Sequence, residues 1–524
     1  MPYQSSGGRR NSVQFGAGRS VWAGAPPPPI PERILDGIPG CLAWVALLFC
    51  VASAIAFPRT LLLVAALLAF YSAVRFLLAG IANITGQRHI NHWEQTDWHM
   101  RYLEEFADDA LDWNDIHHVA IIPNYREPVE ILRYTLDNLA NEYQASRRLT
   151  VVLAMEATED GCVEKAEHLS KRYSSRFANF FYTIHPGGLP GELRGKSANE
   201  AWAARWVKRR LVDEMGYGID NITITTMDAD TLWHPHYFYA LTYLFAINPD
   251  RHKRFWQAPI RYHGNIWEIN PLLRLVNAYS TAFELAYLAA SWWLPMPISS
   301  YTLSLRLLEA SGYWDADVMA EDWHMFIKAF FARNAEVTVE PIFLPFLAHA
   351  TTGETLREAI KNRYLQSLRH AWGSKEVGYI VAKMLEHPEM EFMPNLHLLY
   401  RVAHDILLAG AGWVILTVGS QLPLLVHPQV LSEMLADGLR NPTFMLLQAS
   451  FLTFLILSMV FWYLDVRVRP PRTRRQTLVE RVLTLVSFPL LPVLTLIFVA
   501  IPVLQAQTRL LVGISLQYRV ARKL

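Results

Sequence analysis

Two aspartates, Asp228 and Asp230, follow an apolar run in the middle of the chain and are separated by one residue. The run at 221–227 is typical of a buried strand, so both carboxylates are expected at the carboxyl end of that strand. Carboxylate oxygens at such a crevice suit a hard divalent cation, Mg²⁺ or Mn²⁺, that carries a diphosphate. An Asp-x-Asp pair is also typical of an ordinary polar turn, so its place in the fold decides between the two interpretations.

Three earlier apolar runs also end in polar residues, and helical patterns separate the four runs. This alternation predicts an α/β domain with a mainly parallel sheet, in which ligands bind where the strands end. Candidate site residues therefore follow the strands, and they include Glu156, Lys196 and Asp228. The predicted strands are 119–123, 149–155, 180–184 and 221–227, and the predicted helices are 130–143, 163–173 and 197–215.

The segment 191–197 is close to a phosphate-binding loop, which would make Asp228 the second metal acid of a nucleotide hydrolase. That loop requires the pattern Gly-x-x-x-x-Gly-Lys-Ser, with its first glycine at position 190 of this chain. The chain has Pro190 there, and Gly191 leaves the loop one residue short. The sequence therefore disfavours the hydrolase.

The chain has 524 residues, of which 52% are hydrophobic and 18% charged, whereas about 25% of residues are charged in a typical soluble protein. This composition argues against a wholly soluble or disordered protein. The net charge of +1 argues against a strongly basic nucleic-acid-binding protein. The three cysteines, Cys41, Cys50 and Cys162, indicate neither a disulfide framework nor a zinc site.

Five apolar runs lie toward the two ends of the chain, and each is long enough for a helix that crosses a bilayer. Arginines before the first run and after the fourth favour a cytoplasmic side for the N-terminus and for the central domain. The last run contains three prolines and is followed by basic residues, so a fifth span and a re-entrant segment both stay open. The runs are 38–57, 60–82, 406–426, 442–464 and 482–508.

These patterns predict six segments in a multi-pass protein of the plasma (inner) membrane. They are a disordered N-terminal arm at 1–33, two transmembrane helices at 34–86, a cytoplasmic α/β domain at 88–392, two transmembrane helices at 398–466, a basic cytoplasmic loop at 467–481, and a further transmembrane or re-entrant segment with the C-terminal tail at 482–524.

Residues 115–375, between the predicted spans, resemble membrane-bound family 2 glycosyltransferases, the group that includes cellulose, chitin and hyaluronan synthases. Residues 123–127 look like the family's Pro-x-Tyr-Asn-Glu nucleotide segment, with Arg126 in place of asparagine. Glu156 occupies the position of an aspartate that contacts the nucleotide base in the family. The resemblance implies a GT-A-type, Rossmann-like domain inserted between transmembrane helices.

Lys196 with Asn199 resembles the family's diphosphate and donor segment, and the pair at 228–230 looks like its metal motif. Residues 312–323 are similar to its Gly-Gly-Trp…Thr-Glu-Asp segment, whose final aspartate is the catalytic base and corresponds to Asp322. The carboxylates of this pair also precede a helical pattern, so they could simply favour the positive end of a helix.

Residues 363–373 resemble the family's Gln-x-x-Arg-Trp segment, but His370 occupies the tryptophan position and Trp372 follows two residues later. Trp372 or Trp314 is expected to stack on a sugar face. The resemblance assigns Asp322 and Glu321 to catalysis, Pro123, Tyr125, Glu127, Glu156, Lys196, Asn199 and Asp228 to the donor nucleotide, Gln366, Arg369 and Trp372 to the diphosphate or acceptor, and Asp228 and Asp230 to Mg²⁺ or Mn²⁺.

The sequence thus predicts a membrane-integrated, inverting hexosyltransferase that moves a sugar from a nucleotide sugar, expected to be a UDP-sugar, to a polysaccharide or glycolipid acceptor. Asp322 is the expected general base, and a partner subunit fits this interpretation. The alternative is a membrane scaffold that binds nucleotide through a degenerate transferase domain, for which Arg126, Glu156 and His370 are the supporting departures. The donor sugar, acceptor, linkage and oligomeric state do not follow from these residues.

Overall fold

The computed structural model describes residues 30–472, 475–514 and 516. Its first two helices are α1 (Glu32–Ala56) and α2 (Pro58–Trp93), which coincide with the first two predicted spans. Most of the predicted N-terminal arm lies outside the described residues, as do Arg474 of the basic loop and the basic residues at 519–523.

A seven-stranded sheet organises the central domain, and its strand order is β3-β2-β1-β4-β7-β5-β8. The first four of these strands are parallel, as predicted, and the order reverses between β1 and β4 in the manner of a Rossmann-like sheet. The strands are β1 (His117–Asn124), β2 (Leu149–Glu156), β3 (Asn179–His185), β4 (Ile222–Thr226), β5 (Arg254–Gln257), β6 (Ile260–Arg261), β7 (Tyr301–Ser304), β8 (Thr338–Pro341) and β9 (Phe346–Leu347), of which β6 and β9 pair separately.

Both faces of the sheet are covered, because successive residues of a strand point to opposite sides. Ala120 and Ile122 of β1 belong to one apolar core, and Val119 and Ile121 belong to the other. Helices cover each face, which is why the strands read as continuous apolar runs. The helices of the domain are α3 (Trp98–Glu105), α4 (Val129–Ala140), α5 (Ala145–Arg148), α6 (Cys162–Tyr173), α7 (Lys196–Val207), α8 (Tyr237–Ile247), α9 (Pro271–Ala289), α10 (Leu305–Ala310), α11 (Glu321–Ala332), α12 (Leu356–His370) and α13 (Lys375–Glu386).

Five helical segments in the described part of the chain are long and apolar enough to cross a membrane, and they agree with the five predicted runs. No more than 39% of each apolar stretch is buried inside the protein, as expected for helices with side chains that face lipid. After α1 and α2, these segments contain α14 (Phe392–Leu407), α15 (Trp413–Thr417), α16 (Leu422–Val426), α18 (Pro442–Arg467), α19 (Leu478–Thr495) and α20 (Ile501–Val512), with α17 (Pro428–Asp437) as a connection.

The last apolar segment, α19 and α20, contacts the central domain near its start, near its middle and near its end. Near its start Glu480 pairs with Arg274 of α9 at 3.6 Å, and near its end Gln505 accepts a hydrogen bond from the Tyr364 hydroxyl at 2.5 Å. Between these points Phe498 packs in one cluster with residues of α9 and α12. Both ends of the segment therefore contact the domain, and the choice between a fifth span and a re-entrant segment stays a prediction.

Candidate functional site

Ser299 lies in the loop between α9 and β7 and contacts three charged residues that the sequence singled out. Its backbone N–H donates to Asp322 Oδ2 at 3.0 Å, its hydroxyl donates to Asp228 Oδ2 at 3.2 Å, and its carbonyl accepts from Lys196 Nζ at 2.7 Å. Its φ of 60° lies in the left-handed region, which residues other than glycine rarely adopt. Strained backbone of this kind is concentrated at functional sites, so Ser299 identifies the crevice as the candidate active site.

Three element ends bring these residues together. Asp228 follows β4, Lys196 begins α7, and Asp322 is the second residue of α11. The crevice opens beside the point between β1 and β4 where the strand order reverses, which is the usual position of a ligand in this class of sheet. The Asp228 N–H also donates to Ser300 Oγ at 3.2 Å, which fixes the turn after β4.

Lys196 forms ion pairs with carboxylates from both halves of the crevice. Its Nζ lies 2.9 Å from Glu321, 3.3 Å from Asp228 and 3.6 Å from Glu200. Burial opposes the charge of Lys196, but these three carboxylates outweigh it and raise the pKa of the lysine well above its ordinary value. Lys196 is therefore a permanent cation between the predicted metal motif and the predicted catalytic pair. Glu200, which sequence reasoning missed, is fully buried beneath it.

Asp322 has the environment of a general base. Its Oδ1 accepts from the backbone N–H of Trp323 at 2.9 Å, and Ser299 occupies its Oδ2. Burial, followed by the charge of Glu321, raises the pKa of Asp322 to about 6. A carboxylate with such a pKa is ionised at neutral pH and is a stronger base than an exposed aspartate.

His349, which the sequence did not suggest, lies beside the predicted metal motif and is a candidate third donor. Asp230 is 4% exposed, and His349 Nδ1, from the segment after β9, lies 3.4 Å from its Oδ2. A Cβ at Gly264 would lie 2.7 Å from His349, so only glycine leaves room for the imidazole. No complete set of three ligating side chains is found among residues 30–472 and 475–514. The oxygen and imidazole donors fit a divalent cation whose coordination a diphosphate completes.

Residues 223–465, from β4 almost to the end of α18, match the family model described as Glycosyl transferase family group 2. This match confirms the resemblance of the chain to family 2 of the glycosyltransferases. The α/β domain between membrane helices that the resemblance implied is thereby confirmed. No curated protein matches the chain significantly.

Two solved structures are similar to this glycosyltransferase. The first is the mannosyltransferase PcManGT from Pyrobaculum calidifontis in complex with GDP-Man and Mn²⁺, with 15% identity over 76% of this chain and 99% of that chain, and a TM-score of 0.41. The second is GalNAc-T7 with UDP, GalNAc and Mn²⁺, with 9% identity over 57% of this chain and 58% of that chain, and a TM-score of 0.33. Because both scores are below 0.5, the resemblance to family 2 rests on the family model.

The predicted nucleotide residues of the glycosyltransferase lie at the ends of β1 and β2. Pro123 is within β1, and the Tyr125 ring that follows the strand lies 5.1 Å from the Arg126 guanidinium. Glu127 contributes its carbonyl to Lys165. Glu156 ends β2 and pairs at 3.2 Å with His185, which also contacts Glu192 at 3.0 Å. These residues form the polar end of the crevice, and their contact with a nucleotide stays a prediction.

The predicted donor and acceptor residues Asn199, Gln366 and Arg369 are buried or half-buried. Asn199 is buried and donates to the Ala154 carbonyl at 2.7 Å, which ties α7 to β2. Gln366 is buried and accepts from the Thr351 hydroxyl at 3.1 Å, two residues beyond His349. Arg369 is half-buried on α12.

The two tryptophans considered as sugar platforms differ in their surroundings. Trp372 is half-buried and lines a cavity beside the domain. The role suggested for Trp314 is wrong, because its side chain is 1% exposed and its Nε1 donates to the Tyr301 hydroxyl at 2.8 Å inside the core. Trp314 therefore stabilises the sheet and offers no ring face to a sugar.

His324 was also missed, although it follows the predicted base by two residues. Its Nδ1 lies 2.9 Å from Glu376 of α13 and its Nε2 lies 3.0 Å from Asp315 in the loop before α11. Burial opposes protonation, but Glu376 and Asp315 outweigh it and raise the pKa of His324 to about 9. The Asp315 carbonyl also accepts from the Ser197 hydroxyl at 2.6 Å. The buried imidazolium of His324 therefore connects α11 directly to α13, and through Asp315 it connects α11 to the start of α7.

Proposed function

We propose that this glycosyltransferase moves a sugar from a nucleotide sugar, expected to be a UDP-sugar, to a hydroxyl of a glycan or lipid acceptor. The observation that carries the proposal is the pair of contacts made by Ser299, which binds Asp228 through its hydroxyl and Asp322 through its backbone N–H. A carboxylate suited to the donor's metal and a carboxylate suited to the acceptor's proton thus lie on two sides of one residue.

The reaction is a single displacement at the anomeric carbon. The acceptor oxygen forms the new bond to that carbon while the bond to the diphosphate oxygen breaks, and the acceptor proton passes to Asp322. Lys196 supplies positive charge close to the departing diphosphate. Attack from the face opposite the leaving group inverts the configuration, and no covalent intermediate on the enzyme is needed.

Asp228, Asp230 and His349 would hold the divalent cation, either Mg²⁺ or Mn²⁺. When bound, the cation offsets the negative charge that develops on the diphosphate. The carboxylates of Asp228 and Asp230 suit both ions, and the imidazole of His349 is a ligand better suited to Mn²⁺ than to Mg²⁺.

The proposed location is the plasma membrane, with the catalytic domain in the cytoplasm, where nucleotide sugars are made. Arg467 and Arg469 at the end of α18 support this side, since basic residues flank the cytoplasmic ends of spans. Repeated addition to one growing chain is a further extension, which the altered segment at 363–373 does not favour. The length of the product distinguishes repeated addition from the transfer of a single sugar.

The test is donor turnover by detergent-purified protein with Asp228→Ala and, as a matched control, Asp213→Ala. Asp213 is half-exposed on the same domain, and Lys208 is its one ion-pair partner among the described residues. We expect Asp228→Ala to abolish metal-dependent nucleotide release and Asp213→Ala to leave it unchanged. Unaltered turnover in Asp228→Ala would contradict the proposal, and nucleotide binding without any turnover in the wild type would favour the scaffold.

A further inference from the structure

A cavity of about 480 Å³ lies where the first and last membrane helices meet the catalytic domain. Its walls come from the start of α1, the end of α20, the loop before α11, and α13. Because two apolar helices end at this point, the cavity is at the level of the membrane surface on the side of the domain. Its volume falls in the range of about 300–1,000 Å³ that is usual for ligand sites.

The wall near the end of α20 combines apolar side chains with two arginines. Leu510, Val512 and Ile514 provide the apolar part, and Arg33 and Arg509 provide the charge. The Arg33 guanidinium packs at the end of α20, since a Cβ at Gly513 would lie 3.4 Å from its Nε. Arg509 is in the last turn of the same helix, so both cations belong to one end of the cavity.

Neither Arg33 nor Arg509 forms an ion pair with any residue in the described part of the chain. Three of the acids on the opposite wall, Glu32, Asp36 and Glu376, already have cations of their own, whereas Asp317 forms no ion pair with a described residue. Lys375 binds Glu32 at 2.8 Å and Asp36 at 3.5 Å, and His324 binds Glu376 as described above. The two arginines are therefore the cations that remain for a ligand.

We propose that this cavity binds the phosphate of an anionic membrane lipid whose headgroup carries hydroxyls, and that this lipid is the sugar acceptor. Guanidinium groups match the geometry of phosphate oxygens, and cations beside a bilayer attract anionic headgroups. The apolar side chains beside the arginines suit the first part of the acyl chains. This inference rests on the proposed function, because it names the class of acceptor for the same active site.

The cavity and the active site share two loops. Leu193 and Ala320 line the cavity, and they precede Lys196 by three residues and Glu321 by one. The Leu193 N–H donates to the Ala316 carbonyl at 2.9 Å, which joins the loops. With the phosphate at the arginines, a headgroup hydroxyl beyond it reaches toward Asp322. Its oxygen then bonds to the anomeric carbon, its proton passes to Asp322, and the nucleoside diphosphate leaves with the electron pair.

The experiment titrates detergent-purified full-length protein with phosphatidylglycerol, phosphatidylcholine, glycerol 3-phosphate and inorganic phosphate, and counts bound molecules by native mass spectrometry. The variants are Arg33→Gln with Arg509→Gln, each single change, and Arg467→Ala. Arg467 is the matched control, because it is an exposed arginine at the end of α18 on the same side of the protein. The single changes keep the test valid where the double variant fails to fold.

We expect phosphatidylglycerol to bind at least tenfold more tightly than phosphatidylcholine. That preference should fall at least fivefold in each single variant, disappear in the double variant and persist in Arg467→Ala. Equal binding of the two lipids, or an unchanged preference in the Arg33 and Arg509 variants, would overturn the proposal. Equal occupancy by glycerol 3-phosphate or inorganic phosphate would overturn the proposal that the ligand is a lipid, and would identify the cavity as a site for a soluble anion.

Donor turnover is measured on the same samples without lipid, so the two proposals fail separately. Metal-dependent release of nucleotide by hydrolysis of the donor, with no preference between the two lipids, overturns the proposed lipid acceptor and leaves the proposed function intact. Lipid binding that depends on the two arginines, with no turnover of any donor, overturns the proposed function and with it the acceptor role of the lipid, but it leaves the lipid-binding site.

Discussion

The Ser299 hydroxyl offers a direct perturbation of the site, because glycine removes it while keeping the left-handed backbone. The hydroxyl donates to the charged Asp228, and a hydrogen bond to a charged group contributes about 1.5–3 kcal/mol. If the bond persists in the transition state, its loss lowers kcat/KM by about tenfold to a hundredfold, since about 1.4 kcal/mol corresponds to a factor of ten. The backbone contacts to Asp322 and Lys196 remain in Ser299→Gly.

Comparison with Ser299→Ala separates the effect of losing the hydroxyl from the effect of relaxing the backbone conformation. Alanine keeps the Cβ, so it keeps the cost of the left-handed conformation, whereas glycine relieves about 1–2 kcal/mol of it. Both variants should therefore lose the same factor in nucleotide release, while Ser299→Gly should melt at a higher temperature than Ser299→Ala. Asn334→Gly is the matched control, because Asn334 is exposed and has a φ of 50° away from the crevice.

The assay is nucleotide release from the active donor, combined with thermal melting of each variant. Asn334→Gly should keep full turnover. Full turnover in Ser299→Gly would refute the reasoning, because the contact to Asp228 would then have no part in catalysis. A loss in Ser299→Ala alone would assign the effect to the backbone and not to the hydroxyl.

Three further predictions concern neighbouring residues. The pKa of Asp322 is about 6, so kcat/KM should fall tenfold per pH unit as the pH drops below 6; a flat pH–rate profile down to pH 5 would exclude Asp322 as the base. The pKa of His324 rises from 6.5 to about 9, which corresponds to about 3 kcal/mol of stability that is complete below pH 6.5 and lost as the pH rises through 9. The melting temperature of the wild type should therefore fall over this range, and that of His324→Gln should be lower and change less. Parallel plots of melting temperature against pH for the two proteins would contradict this role of His324. Gly264→Ala should displace His349 and raise the metal concentration needed for half-maximal turnover, and an unchanged metal titration would remove His349 from the metal site.

The parallel half of the sheet follows from the sequence because its strands are buried on both faces and are separated by helices. The strands β5, β6, β8 and β9 have two to four residues each, which is too short for a recognisable pattern. The antiparallel β7 was also missed, although it pairs with β4 directly beside the metal motif. Its position depends on long-range packing, which local sequence does not express.

The charged residues of the site were identified because acidic and basic side chains after strands are conspicuous. Ser299 was not identified from the sequence, since it lies 71 residues after Asp228 and 23 residues before Asp322 in an otherwise apolar segment. The error at Trp314 has a related cause. A tryptophan beside a catalytic segment suggests a sugar platform, but its hydrogen bond to Tyr301 places it in the core.

The central claim is that Asp322 removes the proton of an acceptor hydroxyl while that hydroxyl attacks the anomeric carbon of a metal-bound nucleotide sugar. Its most direct test is nucleotide release across UDP- and GDP-sugars with Mg²⁺ or Mn²⁺, by purified wild type, Asp322→Asn and the control Asp213→Asn. We predict metal-dependent release from one donor by the wild type and by Asp213→Asn, and a loss of at least a hundredfold in Asp322→Asn, whose side chain still accepts the Ser299 N–H but cannot take a proton. Equal release by Asp322→Asn and the wild type would contradict the claim.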